Sequence, residues 1–190
     1  MDKDAFAERG RSLEDDYFRK KDRELIEKMK RSAAAEQSRR EMGERTGLSD
    51  PAMLQELDEL GFTPDTVVLL PLVPIVQMAW AEGGVTNAER QMLTDLARSR
   101  AIAAGSAADR QLQDWLTRQP EDAVFARARR LIRAMLSSGQ EPGDLTADEL
   151  VKYCENIASA SGGILGIGKI SAEERALLAS IASELKTRHG

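Results

Sequence analysis

The chain has 190 residues, enough for one modest domain with an appendage, and 42% of them are hydrophobic, as a buried core requires. A net charge of -5 gives the whole chain no basic footprint for nucleic acid. The single cysteine, Cys154, excludes an internal disulfide and a cysteine-based zinc cluster. The single histidine, His189, is the penultimate residue, which argues against a histidine-dependent triad or metal site. Ala, Leu, Glu, Arg and Lys are abundant and no alternating β-branched run reads as a strand, so the expected class is all-α.

Residues 1–45 form the first unit expected, an extended charged helix or arm. Lysines and arginines (Lys20, Lys21, Lys28, Lys30, Arg39, Arg40) alternate with acids (Asp15, Asp16, Asp22, Glu24, Glu27), and proline is absent. Its apolar residues are few: Leu13, Tyr17, Phe18, Leu25, Ile26 and Met29. Leu13–Tyr17 and Leu25–Met29 are four apart and Phe18–Leu25 seven apart, a thin helical stripe on a charged rod. A stripe this narrow cannot anchor a core helix. The arm is either a solvated helix or a segment that folds against a partner.

The second unit, 46–190, is expected to be a compact helical bundle. Gly43 to Asp50 reads as a break. Asp50-Pro51 then reads as N-cap and first position of a short helix carrying Met53, Leu54, Leu57 and Leu60, closed by Gly61. Thr63-Pro64 opens a segment, Val67 to Trp80, that is apolar nearly all round and belongs at the centre of the core, with Pro71 and Pro74 kinking or splitting it. Thr86 and Glu89 form a capping box with Val85 as staple, followed by Met92, Leu93 and Leu96. Further helices are expected at 107–116, 122–137, 146–160 and 171–186. The longest uncharged run, Thr66 to Ala81, is too short and too proline-broken to cross a bilayer with ease, and no signal peptide stands at the N-terminus, so membrane insertion is not expected and the expected compartment is the cytoplasm.

Gly83–Ala97 (GGVTNAERQMLTDLA) and Gly168–Ala182 (GKISAEERALLASIA) share a glycine turn, a staple, a capping box and a leucine pattern. They predict an internal pseudo-repeat of two helix pairs. With their flanking residues, these segments resemble the tellurite-resistance TerB-like helical fold over residues 64–186. That resemblance implies an all-α bundle in a stress-associated or regulatory module, with an acidic cluster as a metal or ligand site. Ile167 stands where the second copy would need an acid.

Glu14-Asp15-Asp16-Tyr17-Phe18-Arg19, followed by Arg23-Glu24, Ile26 and Met29-Lys30-Arg31, resembles the inhibitory helix of the mitochondrial ATPase inhibitory factor. The resemblance implies a helix that enters a catalytic interface of the F1 ATPase. Glu14, Arg19 and Arg23 would then be polar partners, and Tyr17, Phe18, Ile26 and Met29 buried anchors. Without the resemblance, a charged arm with an adjacent aromatic pair already suits helix-in-groove binding. Residues 32–42 contain no histidine, so no histidine pH switch is expected. The bland alternative is an arm that packs along the bundle or pairs in a homodimer.

Other motifs carry little. Gly163 to Ser171 nearly spells a phosphate-binding loop, but Ile170 follows the lysine where a hydroxyl would hold magnesium. Arg127, Arg129, Arg130 and Arg133 make a basic patch on one helix, read as a solvated face that could also meet an acidic partner. Cys154 reads as a structural thiol. The expectation is a non-enzymatic regulatory binding protein with no cofactor, no metal and no catalytic residue. Its expected partner is a protein, with the F1 ATPase catalytic subunits as the sharpest candidate. A TerB-like ligand-binding module with a structural N-terminal helix is the alternative.

Overall fold

The computed structural model describes residues 3–139, 145–160 and 170–186, with side chains from Tyr17 onward. Among these residues the chain is all-α: eight α-helices, one 3-10 helix and no strand. They are α1 (Lys3–Thr46), α2 (Pro51–Glu59), α3 (Val73–Ala79), α4 (Asn87–Ser99), α5 (Ala107–Thr117), α6 (Asp122–Ser137), α7 (Ala147–Ala160) and α8 (Ala172–Lys186), with the 3-10 helix at Val67–Leu72.

The prolines explain the centre. Pro71 lies inside the 3-10 helix and Pro74 in the first turn of α3. Neither has an N–H to give, so the apolar run from Val67 divides into a tight turn and a short helix rather than one long helix. Val67, Leu69, Leu70, Leu72, Val73, Ile75, Val76 and Met78 are all buried. α3 is the axis on which α6, α7 and α8 pack, and α4 contacts both α3 and α7. Local signals set the helix starts. Asp50 accepts from the Ala52 N–H at 2.8 Å, and Ser106 from the Asp109 N–H at 3.1 Å.

The break expected from Gly43 to Asp50 falls at residues 47–50. α1 continues through Gly43 to Thr46, and the chain turns at Gly47, whose φ is +73°. Gly43 is needed for close approach instead. A Cβ there would lie 2.8 Å from the Leu48 carbonyl oxygen and 3.4 Å from the Leu54 methyls. Met42, fully buried, seats this end of α1 in the core. Arg39 pairs with Asp58 at 3.1 Å and Arg45 with Asp65 at 3.6 Å.

Three arginines of the basic face of α6 reach across to other helices. Arg127 bridges Glu56 (2.9 Å) and Glu59 (2.8 Å), Arg130 pairs with Glu56, and Arg129 holds Glu184 at 2.9 Å while donating to Gln77. These arginines clamp α2 and α8 onto α6. Asp148 and Lys186, at 2.7 Å, join α7 to α8.

Three capping boxes form, with mutual bonds in Thr86–Glu89, Thr146–Glu149 and Ser171–Glu174. Two of them differ from the third. Glu89 and Glu174 are buried, whereas Glu149 is exposed.

Candidate partner-binding helix

Every described side chain from Tyr17 to Ala34 is exposed. α1 touches the rest of the fold through its C-terminal end, against α2 and the 3-10 helix. Residues Tyr17 to Ala34 therefore hold helical form without tertiary cover. Local pairs support them: Arg31 with Glu27 at 3.0 Å and Lys21 with Glu24 at 3.7 Å. Such exposed pairs add a few tenths of a kcal/mol each.

The exposed large apolar side chains concentrate here. Tyr17, Phe18, Ile26 and Met29 are 57%, 62%, 51% and 63% exposed. Leu25, at 57%, belongs with them and extends the site drawn from the sequence; its spacing of seven from Phe18 was the signal. The rings of Tyr17 and Phe18 meet edge to face, centroids 5.9 Å apart. Lys21 places its ammonium 5.8 Å from the Tyr17 ring centroid. Arg23 donates from Nε to the Arg19 carbonyl at 3.3 Å. Arg19, Arg23, Tyr17, Phe18, Ile26 and Met29 thus share one solvated stretch of α1. Glu14 is helical, but its side chain lies outside the described residues.

The bundle offers other features. A cleft of about 500 Å³ is lined by Val68, Pro71, Leu72, Arg100 and Tyr153, and a second of about 340 Å³ meets it at Ser99 and Tyr153. Ala101, on the first cleft, has φ +59°, an unusual conformation for a residue with a Cβ. Burial pushes the Glu89 carboxyl above its ordinary range, and the nearby carboxylates of Glu174 and Glu82 push the same way. Among the described residues, no group of three or more His, Cys, Asp or Glu comes together in a way that could hold a metal ion. The glycine-rich segment 163–169 lies outside the described residues.

No protein-family model, curated protein or solved structure matches the chain.

Proposed function

We propose that this chain is a regulatory binding protein whose N-terminal helix enters a groove on a partner, and that the partner is the catalytic part of an F1-type ATPase, whose hydrolysis it inhibits. The observation that carries the reading is the exposed set Tyr17, Phe18, Leu25, Ile26 and Met29 on a helix whose described side chains are covered only toward its C-terminal end. Each such side chain gains about 1.5–3 kcal/mol when it leaves water, so together they are a strong anchor for a groove and a poor permanent surface. The aromatic pair with nearby arginines has the composition of an interface centre. The resemblance of residues 14–31 to the ATPase inhibitory helix selects the enzyme.

The test is ATP hydrolysis by purified F1 from the same organism. The full chain inhibits. A chain lacking residues 1–34, which keeps the docked end of α1, does not, and Tyr17→Ala/Phe18→Ala weakens inhibition by tenfold or more, roughly the loss of two anchors. No inhibition by the full chain at large molar excess sinks the ATPase reading.

A second reading, a TerB-like ligand module, draws on the cleft at Arg100 and Tyr153. It expects small-molecule binding that does not depend on residues 1–34.

A further inference from the structure

On a helix advancing about 100° per residue, Phe18, Leu25 and Met29 of α1 fall within about 40° of one another, and Ile26 lies about 60° beyond Met29. Lys28 and Lys21, the latter also paired with Glu24 at 3.7 Å, occupy one edge of this stripe; Arg19, Arg23 and Lys30 occupy the other. The acids Glu24 and Glu27 each fall about 150° from the stripe's midpoint, halfway between Leu25 and Ile26, on the same projection. Arg19, Lys28 and Lys30 hold no ion pair among the described residues. The apolar stripe therefore runs between two cationic rails. One acid, Asp22, interrupts it between Met29 and Ile26, and Asp22 has no hydrogen-bond or ion-pair partner among the described residues.

These charges select the occupant. A second copy of the arm would bring its own cationic rails against these, whether the two helices ran parallel or antiparallel, and like charges at such edges oppose pairing. An anionic bilayer would suit the rails. It would also have to take Asp22 toward hydrocarbon with nothing to satisfy the carboxylate. A protein groove can supply both an acidic rim and a donor at its floor.

We infer that the stripe of α1 docks into an apolar groove on another protein, rimmed on both sides by carboxylates and carrying a cation or hydrogen-bond donor opposite Asp22. This inference rests on the helix-in-groove reading above and adds the partner's surface chemistry. It does not require that the partner be the ATPase.

The test places a photoreactive benzoylphenylalanine at Leu25 of the full chain in cells of its own organism and identifies the cross-linked peptides. The expected product is an adduct to a protein segment with Asp or Glu flanking its apolar residues. Reversal of the rails, Arg19→Glu/Lys28→Glu/Lys30→Glu, lowers the yield about tenfold, whereas reversal on the far face, Lys20→Glu/Arg31→Glu, changes it by less than about twofold. Asp22→Leu lowers the yield as well; on a bilayer the same change would strengthen binding, which vesicles of phosphatidylglycerol and phosphatidylcholine would report. Adducts to lipid, to a second copy, or to no protein overturn the inference, as do equal yields for the two charge-reversed variants. An adduct on an F1 catalytic subunit supports both readings. An adduct on a different acid-rimmed groove keeps this inference and removes the ATPase.

Discussion

The indole N–H of Trp80 donates to the carbonyl of Trp115 at 2.8 Å, tying the end of α3 to α5. Trp115 in turn meets Phe62 edge to face, with centroids 5.9 Å apart. One hydrogen bond thus links the central helix to the aromatic contact that closes the α2 side of the core. Trp80→Phe keeps most of the apolar surface and loses the donor, leaving the Trp115 carbonyl to find water. The expected cost is about 1–2 kcal/mol, read as a lower urea midpoint with an unchanged slope.

Gly43 gives a substitution of unexpected sign. In an ordinary helix interior, Gly→Ala stabilises by about 1 kcal/mol. Here the added methyl meets the Leu48 carbonyl oxygen at 2.8 Å, a backbone atom that cannot swing aside. Gly43→Ala is expected to destabilise by about 1–3 kcal/mol through overpacking at the base of α1. Thermal unfolding followed by circular dichroism decides it; a raised melting temperature would contradict the close approach.

The two ends of α1 answer differently to truncation of side chains. Tyr17→Ala/Phe18→Ala removes exposed rings and should leave folding stability within about 0.5 kcal/mol of the original. Met42→Ala empties a fully buried site and should cost about 2–5 kcal/mol. Denaturant titration of both variants separates a surface that folding does not need from one that it does.

Glu89 imposes a pH dependence. Burial raises its carboxyl above the ordinary 4.5, helped by the carboxylates of Glu174 and Glu82. Between the unfolded and folded values, the folded chain keeps a proton that the unfolded chain has released. The stabilising contribution is therefore complete below 4.5 and is lost as pH rises through the folded value. Asp109 and Asp148 run the other way, since the Gly105 N–H with Arg98, and Lys186, hold their carboxyls low, and those contributions fade toward acid. Comparing the chain with its Glu89→Gln variant isolates the first effect. The stability difference should move in favour of the variant as pH climbs from about 4.5, and a flat difference would remove Glu89 as its source.

Cys154 is fully buried on α7, and burial pushes its thiol up to about 12. Thiolate is the reactive form, so alkylation of the native chain should be very slow. Its rate should follow the opening of the bundle as urea is added, and rapid native labelling would mean that α7 does not pack as described.

Much of this fold was legible in the chain because its signals are local. Capping boxes at Thr86, Thr146 and Ser171 bond as their spacing demands, and the two prolines split the apolar run where they stand. Within the break expected from Gly43 to Asp50, Gly43 itself stays helical; glycine ends helices and also permits close contact, and only the position of Leu48 tells the two apart. The α6 arginines looked solvated because Glu56, Glu59 and Glu184 lie far away in sequence. The apolar positions of the arm were visible from their four- and seven-residue spacing. Their freedom from the bundle was not, since the same pattern suits a helix laid along the core.

α1 is 44 residues long, about 66 Å at 1.5 Å per residue, and among its described side chains only those of the last turns are seated. Fixing the backbone of a disordered peptide on binding costs about 1–2 kcal/mol per residue. On the helix-in-groove proposal, a helix nucleated by its own docked end would meet its partner already wound, so that entropy would be spent during folding rather than at the encounter. Cutting the arm from its base would leave every contacting side chain in place, yet the free peptide would bind more weakly than the same residues on the intact chain.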